Sequence, residues 1–119
     1  MGEGSPLMSD ERTKKEAKAP GADNYRLLEG AVRTYLPEEA QAKIAAAYAF
    51  AADYHKDQRR RSGEPYINHP VEVALILAHD LHMDEDTICA ALMHDTVEDT
   101  SASLDEISSR FGESVAELV

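Results

Sequence analysis

The stretch Asp84-Glu85-Asp86-Thr87-Ile88-Cys89-Ala90-Ala91-Leu92-Met93-His94-Asp95-Thr96-Val97-Glu98-Asp99 decides how this chain folds and where its chemistry lies. Asp84 carries the short side-chain acceptor that suits a helix N-cap. Glu85 and Asp86 follow where the positive end of a helix favours carboxylates. Ile88, Ala91, Leu92 and Asp95 then recur at helical spacing, so a helix is expected to run through Asp95. Cys89 lies inside the apolar run 88–93 and reads as a small buried hydrophobe. It is the single cysteine of the chain, which excludes an intrachain disulfide framework and a cysteine zinc cluster.

Outward from this stretch the same period repeats. Upstream, Leu27, Leu28, Ala31, Val32 and Tyr35 predict a helix that Pro37 stops. Pro37 suits the first turn of a second helix, with Glu38 and Glu39 at its positive end. Ile44, Ala47, Tyr48, Ala51 and His55 line one face of it. Its end is expected in the polar stretch 56–63, and Gly63-Glu64-Pro65-Tyr66-Ile67-Asn68 reads as an ordered loop. Pro70 opens a third helix with Val71, Ala74, Leu75, Ala78 and Leu81 on one face. Downstream, Ser103-Leu104-Asp105-Glu106 has capping-box form, and a helix should run from it to Phe111. Gly112 closes that helix, and a last segment spans Glu113–Val119. No useful strand alternation and no internal repeat occur, so the fold class is all-α. Residues 1–23 mix Gly, Ser, Pro, Lys and Glu and are expected to form a disordered tail. Residues 24–119 form the folded part.

The 119 residues fit one small domain. Twelve Lys+Arg stand against 23 Asp+Glu, a net charge of −11. That balance disfavours DNA or other nucleic acid as a partner, because such binders carry a basic stripe. No apolar run approaches the roughly 18 residues of a membrane span, and the N-terminus lacks the apolar core of a secretory leader. A cytoplasmic location is expected.

Within His94-Asp95-Thr96-Val97-Glu98-Asp99 one imidazole and three carboxylates follow an apolar helix face. Adjacent His94 and Asp95 can supply a nitrogen and an oxygen to a divalent metal. If the helix persists, Glu98 stands above His94 and Asp99 above Asp95. A lone His-Asp pair is more often a solvated helix end. A third donor weighs against that here: His69, held before Pro70, which disfavours helical angles at the residue it follows. Antiparallel helices from Pro70 and ending near Asp95 would bring His69 to the same end as His94. Imidazole and carboxylate together suit manganese, iron, zinc or magnesium. Arg59-Arg60-Arg61 concentrates positive charge, and guanidinium groups bind phosphates in bidentate fashion, although a solvated loop explains such a run equally well. Tyr66 reads either as an aromatic wall or as core, and Asn68 as an amide beside it. His79 and His82 read as surface residues near a helix end, and His55 is left without a role.

Taken together, Arg61-Ser62-Gly63-Glu64-Pro65-Tyr66-Ile67-Asn68-His69-Pro70, the helix from Val71, and His94-Asp95-Thr96-Val97-Glu98-Asp99-Thr100 resemble the HD-type hydrolase domain of RelA/SpoT homologues. Residues 36–55 and 111–119 are similar to the same domain, so the resemblance covers about residues 25–119. It implies an HD-domain helical bundle, of which this chain holds the N-terminal part. It also implies a manganese-dependent enzyme of the stringent response. Such an enzyme removes the 3′-pyrophosphate from guanosine tetra- or pentaphosphate, giving GDP or GTP. By the same resemblance His69, His94 and Asp95 match metal ligands, and Glu98 and Asp99 match the acidic pair acting on the hydrolytic water. Arg60, Arg61 and Ser62 fall where the family contacts the nucleotide. The family's fourth metal ligand is an aspartate farther downstream, so the chain is expected to be a fragment with an incomplete site and weak or no activity. Its parent would carry synthetase and regulatory domains. Two rivals are a different HD-type nucleotide phosphohydrolase, which would lack the Arg-Ser-Gly-Glu-Pro-Tyr loop, and a non-catalytic regulatory module.

Overall fold

Helix α4 (Glu85–Met93) sits at the centre of the computed structural model, which describes residues 22–119. Ile88, Cys89, Ala90, Leu92 and Met93 are all buried. A helix this apolar around most of its circumference must be covered on several sides. Three helices cover it: α2 (Glu38–Tyr54), α3 (Asn68–His79) and α7 (Glu113–Leu118). Helix α1 (Ala22–Arg33) packs on α3 and α2, and α6 (Leu104–Phe111) packs on α7. One-turn helix α5 (Thr96–Asp99) follows α4 directly. Among the described residues there is no strand, only an isolated antiparallel bridge between Arg59 and Pro65. The all-α expectation holds. The tail expected over residues 1–23 lies outside the described residues, apart from Ala22 and Asp23 in the first turn of α1.

The ends of the helices follow local chemistry. Pro37 is the N-cap of α2, with Glu38 and Glu39 in its first turn. Lys43 reaches across to Asp86 at 2.8 Å, a partly buried pair that ties α2 to the start of α4. The hydrogen bond to Asp86 leads the causes that raise the Lys43 ammonium above its ordinary value. The Tyr35 hydroxyl donates to the Met83 carbonyl at 2.6 Å, so the tail of α1 holds the α3–α4 connection. In that connection His82 takes φ +48° and stacks on Tyr35 at 4.6 Å. The Ser103 hydroxyl accepts the Glu106 N–H at 3.1 Å at the start of α6, as the capping-box form predicts. Gly112, at φ +100°, ends α6 in a conformation that side-chain-bearing residues rarely adopt.

Two expected boundaries differ. Helix α3 begins at Asn68, so His69 lies inside its first turn rather than on an extended residue ahead of Pro70. The first N–H groups of a helix have no intrahelical acceptor, so the proline that lacks one is accommodated there without loss. Helix α4 ends at Met93, with His94 and Asp95 in a turn before α5 resumes. The buried Thr96 hydroxyl donates to the Met93 carbonyl at 2.6 Å. That side-chain bond competes with the ladder at the point where the helix breaks.

Candidate metal centre

The short connection 80–84 turns α4 back along α3, so the start of α3 meets the end of α4. A cavity of about 320 Å³ lies between them, lined by His69, Pro70, Val73, Leu77, His94, Asp95 and neighbours from both helices, with Leu118 of α7 at its edge. The three donors proposed from sequence thus share one cavity. They reach it by a route other than the one expected, since His69 projects from within a helical turn. His94 stays open to solvent, with its side chain 65% exposed, whereas the Asp95 side chain is 15% exposed.

Asp95 is held from two sides. One oxygen lies 3.0 Å from His94 Nδ1. The other accepts the Tyr66 hydroxyl at 2.8 Å, and the same hydroxyl stands 3.1 Å from Asp99 Oδ2. The uninterrupted helix expected here is absent. Its neighbour relation survives for the second carboxylate, because Asp99 N–H donates to the Asp95 carbonyl at 2.9 Å. Glu98 is exposed. Burial, followed by the hydrogen bonds it donates to Asp95 and Asp99, holds the Tyr66 phenol far above its ordinary range, so it remains a donor.

The segment from His55 to Tyr66 folds back on itself. Arg60 N–H donates to the Glu64 carbonyl at 2.8 Å, Tyr66 N–H to the Gln58 carbonyl at 3.0 Å, and Gly63 N–H to the Arg60 carbonyl at 2.8 Å. Gly63 takes φ +95° at the tip, which glycine does without steric cost. Arg59, Gln58, Tyr66 and Asp99 line a shallow cleft of about 380 Å³ beside the carboxylates. Arg60 lies 3.7 Å from Glu64, Arg61 is exposed, and the Ser62 hydroxyl accepts the Glu64 N–H at 3.5 Å. It is therefore Arg59, the member of the triplet not singled out from sequence, that stands beside Tyr66 and Asp99. His55, left without a role, is buried, stacks on Tyr66 at 4.7 Å, and pairs through Nδ1 with Gln58 Oε1 at 2.6 Å. Gln58 Nε2 in turn donates to the Asp99 carbonyl at 2.6 Å. His79 and His82 are exposed, as expected, and Cys89 is buried.

Mixed imidazole and carboxylate donors around one cavity suit a divalent ion. Among the described residues, however, no three His, Cys, Asp or Glu side chains are gathered as a finished cage. His94 Nδ1 lies 3.0 Å from Asp95 Oδ1, so two of the three donors face each other. An ion would replace a contact in which the His94 side chain is largely exposed and the Asp95 side chain largely buried.

Three comparisons bear on this arrangement. Residues 47–119 match the family model described as HD domain. The chain is 48% identical over 95 residues to the bifunctional (p)ppGpp synthase/hydrolase SpoT of Escherichia coli K12, covering 80% of this chain and 13% of that protein. It is 54% identical over 86 residues to a guanosine-3′,5′-bis(diphosphate) 3′-pyrophosphohydrolase of Aquifex aeolicus, covering 72% of this chain and 12% of that protein. The chain thus spans about an eighth of the length of these curated relatives. A solved structure of a metazoan SpoT ortholog that hydrolyses ppGpp superposes with TM-score 0.62 at 38% identity, covering 69% of this chain and 46% of that one. With the family model matching more than half of its length and these relatives alongside, the chain belongs to the HD domain family, in its RelA/SpoT branch.

Proposed function

We propose that this chain carries the metal-binding part of a guanosine-3′,5′-bis(diphosphate) 3′-pyrophosphohydrolase, with guanosine tetra- or pentaphosphate as substrate. The observation that carries this reading is the shared cavity of His69, His94 and Asp95. The names of the relatives in Escherichia coli and Aquifex aeolicus support it. Membership of the HD family implies a divalent metal; that the ion is manganese is part of the proposal. When bound, such an ion lowers the pKa of a water and stabilises charge on a phosphoryl oxygen.

The chain's own residues then divide the work. His69, His94 and Asp95 would hold the ion. Glu98 and Asp99 would orient the attacking water and take its proton, since both carboxylates sit on the turn that follows the ligand pair. Arg59 and, along the same hairpin, Arg60, Arg61 and Ser62 would meet the phosphates, guanidinium groups being suited to bidentate phosphate contacts. Among the described residues no helix is long and apolar enough to cross a membrane. Synthetase and regulatory domains elsewhere in a longer parent belong to the same proposal.

The test is pyrophosphate release from guanosine tetraphosphate with and without Mn²⁺, by this chain and by the full product of its gene. Manganese-dependent release that Asp95→Ala lowers by more than about 100-fold is expected. That loss exceeds the roughly 10–100-fold that follows removal of a ligand's supporting partner. Release indifferent to Asp95→Ala would sink the reading. Hydrolysis confined to other nucleotides would move the chain to another HD-type phosphohydrolase.

A further inference from the structure

We propose that Tyr66, braced by His55 and Gln58, is a positioning residue that fixes which oxygen of Asp95 faces the metal cavity and keeps Asp99 beside it. This inference rests on the ligand set of the preceding section. None of the three residues belongs to that set.

The geometry of one hydroxyl carries the argument. Two carboxylates, Asp95 and Asp99, bring an oxygen to 2.8 and 3.1 Å from the same phenol oxygen. Like charges so close repel unless a donor lies between them, and Tyr66 is that donor. Its single hydrogen is shared by the two, with Asp95 taking the shorter bond. Asp95 Oδ2 is thereby committed, and Oδ1, on the His94 side, is the oxygen left for an ion. Without the hydroxyl, nothing holds Asp95 Oδ2 away from the cavity, the contact of Oδ1 with His94 is the one that remains, and Asp99 has reason to turn toward solvent.

The brace is independent of that bond. A glutamine amide donates only through nitrogen, so the bond from Gln58 Nε2 to the Asp99 carbonyl fixes which way Gln58 points. Gln58 Oε1 then faces His55 Nδ1 at 2.6 Å, so Nδ1 bears the hydrogen. His55 Nε2 is buried with no partner. That ring lies flat against Tyr66, with centroids 4.7 Å apart and planes at 27°. One end of the pair therefore seats the phenol and the other holds the backbone of the residue that the phenol contacts. Partners that orient a metal-ligating carboxylate typically matter by about 10–100-fold in metal affinity.

Tyr66→Phe keeps the stack on His55 and removes only the hydroxyl. Calorimetric titration of the 119-residue chain with Mn²⁺ alone, with thermal melting in parallel, reads the effect. The expected result is Mn²⁺ binding that His94→Ala abolishes and that Tyr66→Phe weakens about 10-fold or more, with helical circular dichroism unchanged. Gln58→Leu, which leaves the phenol in place, should weaken binding in the same direction. If His94-dependent binding survives intact in both Tyr66→Phe and Gln58→Leu, the network is merely a structural staple and the proposal falls alone. If Mn²⁺ binding by the unaltered chain is absent or indifferent to His94→Ala, the ligand set itself fails and takes the proposal with it.

Discussion

Thr96 shows how much of the candidate site depends on a single side chain. It is fully buried, and its hydroxyl caps the Met93 carbonyl where α4 stops. Its own carbonyl accepts the Thr100 hydroxyl and the Thr100 N–H. Thr96→Val preserves shape and β-branching while leaving the Met93 carbonyl without its side-chain donor. The expected cost is about 1–2 kcal/mol in urea unfolding. An unchanged midpoint would mean that the turn holds without this bond. From sequence, Thr96 was part of a string matched to a family; nothing in its spacing announced a buried hydroxyl. The same limit applies to Tyr66. Its partners stand 29 and 33 residues away along the chain, so no local pattern connects them. Arg59 is a third instance, because three consecutive arginines look alike until the hairpin's register separates them.

At the scale of the element, local signals were most legible where a helix end depends on its own residues. Ser103 caps α6 through the Glu106 N–H, and Ser103→Ala should lower stability by about 1 kcal/mol. A matched Ser109→Ala, at an exposed position inside α6, should cost far less. Equal midpoints for the two variants in urea would refute the cap's contribution. Pro37 and Asp84 are likewise the N-caps of α2 and α4, with acidic residues in the first turn of each helix, but neither side chain bonds a backbone N–H. Where a boundary depends on packing, the local reading slips. Helix α3 gains two residues ahead of Pro70, and α4 loses the two expected at its end, His94 and Asp95. In the second case the Thr96 hydroxyl bonds the Met93 carbonyl and Tyr66 bonds the Asp95 side chain where the helix stops.

For the whole molecule Tyr25, Tyr35, Tyr48, Lys43 and Cys89 are all shifted in one direction, upward. Burial is the leading cause that pushes the Tyr25 phenol from 10.0 to about 12 and the Cys89 thiol from 9.0 to about 12. Tyr35 and Tyr48 are raised by burial as well. The Lys43 ammonium is raised chiefly by its bond to Asp86. A raised folded-state value means that the native protein holds its proton after the unfolded chain has released it. Stability is then fully present below the unfolded value and is lost as pH climbs toward the folded one. The urea midpoint should therefore be level up to about pH 9 and fall between about pH 9 and 12, as followed by circular dichroism. Cys89→Ala should remove the earliest part of that decline. A flat profile through pH 11 would contradict the burial of these groups.

By itself the sequence determined the helical class, most of the helix starts, the buried role of Cys89 and the residues from which a metal site could be drawn. All of these rest on spacing and on side chains acting within a turn or two of themselves. Only the tertiary structure decided that His69 arrives from within a helical turn, that α4 breaks at His94, and that Arg59 is the arginine beside the carboxylates. It also brought Tyr66, Gln58 and His55 to the acidic turn. The physical reason is range: capping and periodicity act over three or four residues, whereas a phenol bridging two carboxylates depends on where packing sets two distant segments.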